Sequence, residues 1–194
     1  MLSIRANAFL ATLERHSRIP TKDVESIIRD QGLPCFAVWL DFHDRFSGYL
    51  ERFGRDWAIW GLVHQNPQWL LPRKADADRE PNEELWYITC ADAHPSYSYR
   101  IDSKGEFLSA PAISFDVHIE RIALGRDFQE KTKCRALSKV ELSALDEKEV
   151  IAKQLKPFQI AEASDCFSKY YMNDSYFLVE DASSGKLRKG QVKV

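Results

Sequence analysis

Three of the five histidines in this chain stand two positions after an aspartate: Asp41/His43, Asp92/His94 and Asp116/His118. Carboxylate and imidazole are both metal ligands, so the recurrence raises the prospect of a hydrolytic metal centre. Spacing argues against local chelation in two of the pairs. Asp41/His43 and Asp116/His118 fall in segments with helical patterning, where positions i and i+2 point away from each other. Only Asp92/His94, near a strand end, could present both side chains to one side. Cys90, four residues before His94, could pair with it as thiol nucleophile and base. The competing reading makes Cys90 a packed small hydrophobe within an apolar strand. The chain carries no glycine-rich phosphate loop, no G-x-S-x-G elbow and no H-E-x-x-H. We therefore assign no catalytic, metal or cofactor residue. A small hydrolase using Asp92, His94 or Cys90 stands as an alternative.

Binding chemistry is better represented, in residues 65–84. Trp69, Leu70, Leu71, Pro72 and Arg73 form an aromatic, aliphatic and cationic cluster of the kind that anchors interfaces. The same cluster could instead fold back over a sheet edge. Asp76, Asp78, Glu80, Glu83 and Glu84 follow closely. They could steer a basic partner, or could be a solvated loop. Trp69, Arg73, Asp76, Asp78, Glu83 and Glu84 are thus the candidate partner-binding residues.

The elements that must position these groups are readable in outline. Residues 2–16 carry a partial apolar stripe (Leu2, Phe9, Leu10, Leu13) and read as a helix. A second helix opens at Pro20-Thr21, with Thr21 as N-cap and Val24, Ile27 and Ile28 as its buried face, and ends at Gly32. Pro34 fits the first turn of a third helix that Ser47-Gly48 stops, although the aromatic run 35–42 also suits a strand. Strands are expected over 57–64, 85–91, 96–102 and 106–108, with a turn at Ser103-Lys104-Gly105. Ser114 should cap a helix lined by Phe115, Ile119, Ile122 and Ala123. Residues 126–136 read as a charged linker. Ser138-Lys139-Val140-Glu141 is a capping box opening a helix to about residue 155. A short helix is expected over 160–171, then a closing hairpin around Ser183-Ser184-Gly185 that echoes the Asp102–Gly105 segment.

Composition bounds the rest. The 194 residues are 44% hydrophobic and 12% aromatic, enough for a sizeable core. A net charge of −2 gives no support to a nucleic-acid partner or an anionic membrane. The four cysteines form no C-x-x-C pair, and Cys35 and Cys90 read as buried. No apolar run reaches the roughly 20 residues of a membrane span, and the N-terminus lacks a signal-peptide pattern. The expected location is the reduced cytoplasm.

Leu33-Pro34, then Trp39 to Gly48, resembles the "Leu-Pro … helix … Phe/Tyr-x-Gly" opening of the SMI1/KNR4 (SUKH) superfamily. Trp86–Asp92 followed by Tyr99 to Phe107 is similar to its central strands and Asp-x-x-Gly turn, and Ser114–Leu124 to its last helix. The match covers about residues 18–125. It departs at Ser47, where a second glycine is frequent. The resemblance implies an α+β fold, a mostly antiparallel sheet packed against helices, here with a C-terminal helical and hairpin extension. The 65–84 segment and the chain after residue 126 have no clear counterpart in the family, so domains are expected at 1–126 and 127–194, the second packed on the first. The resemblance also implies an immunity protein that binds and neutralises a toxin domain of a polymorphic or contact-dependent secretion system. A regulatory or scaffold module of the same fold is the alternative.

Overall fold

The computed structural model describes residues 1–53, 56–63, 75–79, 84–93, 99–108, 112–131, 133–147 and 159–193. The chain divides into two compact units, Leu10–Pro111 and Met1–Phe9 with Ala112–Val194. This division does not coincide with one at residue 126. Helix α1 (Ile4–Thr12) runs across it. It is shorter than the expected 2–16 because the chain turns extended at β1 (Glu14–Arg15), which pairs with a strand unread in the sequence.

In the 10–111 unit, helix α2 (Thr21–Asp30) buries Val24 and Ile28 completely. Pro20, not Thr21, occupies its N-cap position; the Thr21 hydroxyl donates instead to Asp44 Oδ1 at 3.0 Å. Its end is the expected glycine stop. Gly32 lies at φ +70°, with Gly32 N–H on the Arg29 carbonyl and Leu33 N–H on the Ile28 carbonyl, the paired bonds of a Schellman motif. Helix α3 (Ala37–Phe46) begins three residues beyond Pro34 and settles the helix-or-strand choice for this run. Trp39, Phe42, His43 and Phe46 are its buried face.

Gly48, at φ +87°, turns the chain into β2 (Tyr49–Phe53), which the sequence reading missed. β2 forms a hairpin with β3 (Asp56–Trp60), shorter than the expected 57–64. β4 (Ala77–Arg79) lies inside the segment read as a loop. The strand read as 85–91 is two strands, β5 (Trp86–Thr89) and β6 (Ala91–Ala93). Cys90 is the joint: its N–H bonds Tyr99 O at 2.8 Å and its carbonyl takes Gly61 N–H at 2.9 Å. The chain thereby leaves a three-stranded sheet, β4-β5-β7 (β7 being Arg100–Asp102), and enters a four-stranded one, β1-β2-β3-β6. Both are antiparallel throughout. Phe107 meets Ile101 as a single bridge rather than as a third strand.

The Asp102–Gly105 turn is tightly built. Asp102 Oδ1 accepts from Lys104 N and Glu106 N, each at 2.8 Å, and Trp39 Nε1 donates to the Asp102 carbonyl at 2.8 Å.

In the other unit, Ser114 caps α4 (Phe115–Lys131) as expected, with Val117 N on its Oγ at 3.4 Å. The helix runs through the expected linker. Leu124 and Phe128 extend its apolar face and cluster with Phe177 and Val179. β8 (Cys134–Ala136) follows, then α5 (Lys139–Glu147), opened by the expected capping box: Glu141 N to Ser138 Oγ, Ser138 N to Glu141 Oε2. The helix expected over 160–171 is a 3-10 turn at Ala161–Ala163 followed by β9 (Ser168–Met172). β10 (Tyr176–Asp181) and β11 (Leu187–Lys193) form the closing hairpin, in a sheet ordered β8-β11-β10-β9. Alternation along β10 sends Phe177 and Val179 toward α4 residues and Leu178 toward Leu142 of α5. Arg121 pairs with Asp165 at 2.6 Å, their side chains 7% and 0% exposed. Asp165 also accepts from Ile113, Phe167 and Ser168 N–H. No helix among the described residues is long and apolar enough to cross a membrane.

Two glycine substitutions separate backbone strain from collision. A Cβ at Gly32 meets nothing within 4 Å, so Gly32→Ala should cost only the left-handed strain, about 1–2 kcal/mol. A Cβ at Gly48 would lie 2.4 Å from the His16 carbonyl oxygen, while His16 N–H is held on Gly48 O at 2.8 Å. Gly48→Ala should therefore cost more than Gly32→Ala, on the order of 3 kcal/mol or above. Urea unfolding of the two variants checks the order, and equal losses would contradict it.

Candidate functional site

Asp78 lies on β4 and Asp76 just before it, at the edge of the three-stranded sheet among the described residues. Strand register puts Asp78 opposite Tyr87, and Thr89 opposite Arg100, so these four share a face. The Asp78 carboxylate pairs with the Arg100 guanidinium, which lies 5.1 Å over the Tyr87 ring. Asp76 Oδ2 accepts the Thr89 hydroxyl at 2.9 Å, and its carbonyl takes Thr89 N–H at 2.8 Å. Behind them the Gln31 side-chain amide holds both backbone groups of Ala75. Asp76 and Asp78 thus hold specific partners beside and on β4, while both stay exposed to solvent. Glu84, exposed, stands just before β5. Trp69, Arg73 and Glu83 lie outside the described residues, as does His94.

A second site, unread in the sequence, is a partly open cavity of about 40 Å³ in the same unit. It gathers His43 and Ser47 from α3, Gly48, Ile59 and Trp60 from the hairpin, Asp92 from β6, and His16 and Arg18 from the segment before α2. Serine, histidine and aspartate on one cavity suggest an acyl-transfer triad. The hydrogen bonds of His43 say otherwise. Leu62 N–H donates to Nδ1 at 3.2 Å, so Nδ1 carries no proton, and Nε2–H donates to the Ile19 carbonyl at 2.9 Å. The ring is 1% exposed. It has no free lone pair with which to take a proton from Ser47. His43 is a structural clamp between α3, Ile19 and Leu62.

The other sequence candidates separate likewise. Asp41 is exposed and paired with Arg45 at 3.1 Å, while His43 turns inward. Asp116 faces the N-terminal amine and His118 is buried. Cys90 is fully buried, and burial pushes its thiol well above its usual value, away from a nucleophilic thiolate. Cys35, expected to be buried too, is half-exposed.

Asp92 and Ser47 differ from all of these. Among the described residues the Asp92 carboxylate makes no hydrogen bond or ion pair, and burial raises its pKa. Ser47 is 2% exposed and its Oγ has no hydrogen-bond partner. The sequence reading placed Ser47 only as a helix stop. The one available signal was the serine standing where the resembled pattern favours glycine.

Fold and site together define an α+β protein on antiparallel sheets. No protein-family model, no curated protein and no solved structure matches the chain.

The two inward-facing histidines give a pH signature. Burial holds His43 below the ordinary imidazole value, and burial with the Arg121 charge takes His118 down to about 3. Above about pH 6.5 both are neutral whether the chain is folded or not. Below it the unfolded chain binds protons that the folded chain refuses, so stability falls as pH falls. For His118 the loss should approach ~1.4 kcal/mol per pH unit between about pH 6.5 and about pH 5, with His43 adding in the same direction. His118→Leu should remove the larger part of that slope in urea titrations. A profile flat over this range in the unaltered chain would contradict the assignment.

Proposed function

We propose that this chain is a protein-binding module, and specifically an immunity protein that neutralises a toxin domain of a polymorphic or contact-dependent secretion system. The specific reading rests on the SMI1/KNR4-like order of segments. The observation that carries the binding reading is β4, which lies at the edge of its sheet among the described residues, beside exposed Asp76, Asp78 and Glu84. An edge strand can be extended by a partner's strand. With Asp78 paired to Arg100 and Arg79 on the same strand, Asp76 and Glu84 leave the edge a slight negative balance, which would favour a basic partner. The commitment of His43 to Ile19 and Leu62, and of Cys90 to the core, supports binding over hydrolysis. Cytoplasmic action follows from this reading.

Co-purification from the native cell, with mass spectrometry of bound proteins, tests it. The expected result is a stoichiometric partner that is the C-terminal domain of a secreted protein. Several unrelated housekeeping proteins would favour a scaffold module, and recovery of the chain alone would overturn the binding reading. Glu84→Lys should slow association several-fold at low salt with little change in folding. Unchanged, salt-independent association kinetics would remove β4 from the interface.

A further inference from the structure

We propose that β8 and β11 together present a basic strip that holds the phosphodiester backbone of a nucleic acid. The inference is independent of the toxin reading and of β4.

The net charge of −2 conceals a segregation of charge. Residues 133–139 carry Lys133, Arg135 and Lys139, and residues 186–193 carry Lys186, Arg188, Lys189 and Lys193. Neither stretch holds an aspartate or a glutamate. Along the sequence these are two short runs, each of a kind that usually forms a solvated face. Strand pairing joins them. β8 lies antiparallel to β11, with Arg135 opposite Val192 and Cys134 opposite Lys193. All seven cations are exposed, so two runs far apart in sequence become one acid-free surface.

The carboxylates nearby are already engaged. Glu141 holds Arg135 at 2.6 Å. Glu180 accepts from Lys169 and from the Tyr171 hydroxyl. Asp181 accepts from Ser183 and Ser184. Exposed Asp174, in the turn between β9 and β10, bounds the strip at the Lys193 end. Among the described residues Lys133, Arg188, Lys189 and Lys193 have no carboxylate partner. Arg188 is oriented instead by neutral groups: it donates to Ser168 Oγ and is hydrogen-bonded to the Tyr170 side chain. A guanidinium fixed by hydroxyls keeps its charge unmatched, and its fork suits a phosphate.

The arrangement is linear. Gln191 pairs with Phe177, and alternation puts Lys189, Gln191 and Lys193 on that same face of β11. At about 3.3 Å per residue, Lys189 and Lys193 stand roughly 13 Å apart with an amide donor between them. A nucleic-acid strand offers a regular line of charge, one phosphate per about 3.4 Å of duplex axis. A row of cations on one strand matches such a line better than it matches the scattered carboxylates of a protein. A membrane surface would call for apolar side chains to insert, and Val140 is the single large hydrophobic exposed near these strands among the described residues. Contacts to phosphate carry no sequence information, so binding should tolerate any sequence.

Fluorescence anisotropy on the full chain tests this, with a labelled oligonucleotide of about 20 nucleotides offered as single strand and as duplex at about 50 mM salt. Saturable binding is expected, with a log K against log[salt] slope of about −3 to −4 for four phosphate contacts; a value of about −0.7 per contact marks the single strand as the source and about −0.9 the duplex. Lys189→Gln/Lys193→Gln should roughly halve the slope and weaken binding on the order of tenfold. Lys22→Gln/Lys104→Gln removes the same charge at exposed positions of the other unit and should change little. Equal losses in the two double variants would overturn the strip, as would the absence of saturable binding to either oligonucleotide. A poly-glutamate peptide or an anionic phosphatidylserine vesicle binding as tightly as the oligonucleotide would overturn the nucleic-acid assignment. All four substituted lysines are exposed, and circular dichroism reports that the variants stay folded. No arm needs the toxin, so failure here is separable from failure of the co-purification.

Discussion

Helix α3 cannot bury its aromatic face unless the polar atoms on that face find partners, and most of the 10–111 unit is arranged around meeting that demand. Trp39 is wholly buried, and its indole N–H reaches the carbonyl of Asp102. That carbonyl belongs to a turn whose own amides close on the Asp102 carboxylate. One turn later His43 spends both ring nitrogens on Ile19 and Leu62. A buried polar group left open would cost as much as several good contacts contribute. The helix is thereby fixed to the β7 turn, to the segment before α2 and to the end of β3. Its C-terminus then delivers Ser47 to the cavity.

The second unit meets the same constraint with charge. Arg121 and Asp165 are both buried, and such a pair is tolerable only when its remaining donors and acceptors are occupied. Here Arg121 Nε donates to Ala163 O at 3.0 Å, and three backbone amides converge on Asp165. Glu120, 3% exposed, takes the backbone and hydroxyl protons of Ser3 at 2.6 and 2.7 Å. Across both units, then, most buried polar side chains hold backbone in place. Ser47 differs, since its buried Oγ has no hydrogen-bond partner.

Which parts of this were legible in the sequence follows from the range of the forces involved. Local devices were readable: the Gly32 stop, the Ser114 cap, the Ser138/Glu141 box and the Gly105 and Gly185 turns are fixed by residues a few positions apart. The α+β class followed from them. Partnered strands were not. β2 reads as a continuation past a helix stop, because Tyr49–Phe53 is a strand only by pairing with β3 and β1. The run 126–131 looks like linker until Phe128 meets Phe177. The split at Cys90 depends on Gly61 and Tyr99, far away in sequence. The candidate edge was half legible, since Asp76 and Asp78 were named but as loop residues. The cavity was illegible for the same reason as β2: His16, Ser47 and Asp92 are brought together only by the strand order β1-β2-β3-β6.

The account therefore gives this chain a recognition feature in the 10–111 unit, a strand edge with exposed carboxylates, on a scaffold in which His43 and Cys90 are committed to the core. The most direct measurement is a crystal structure of the chain bound to the protein it captures. The account predicts that the partner covers β4. A partner seated on the 112–193 segment, with β4 left open to solvent, would contradict it.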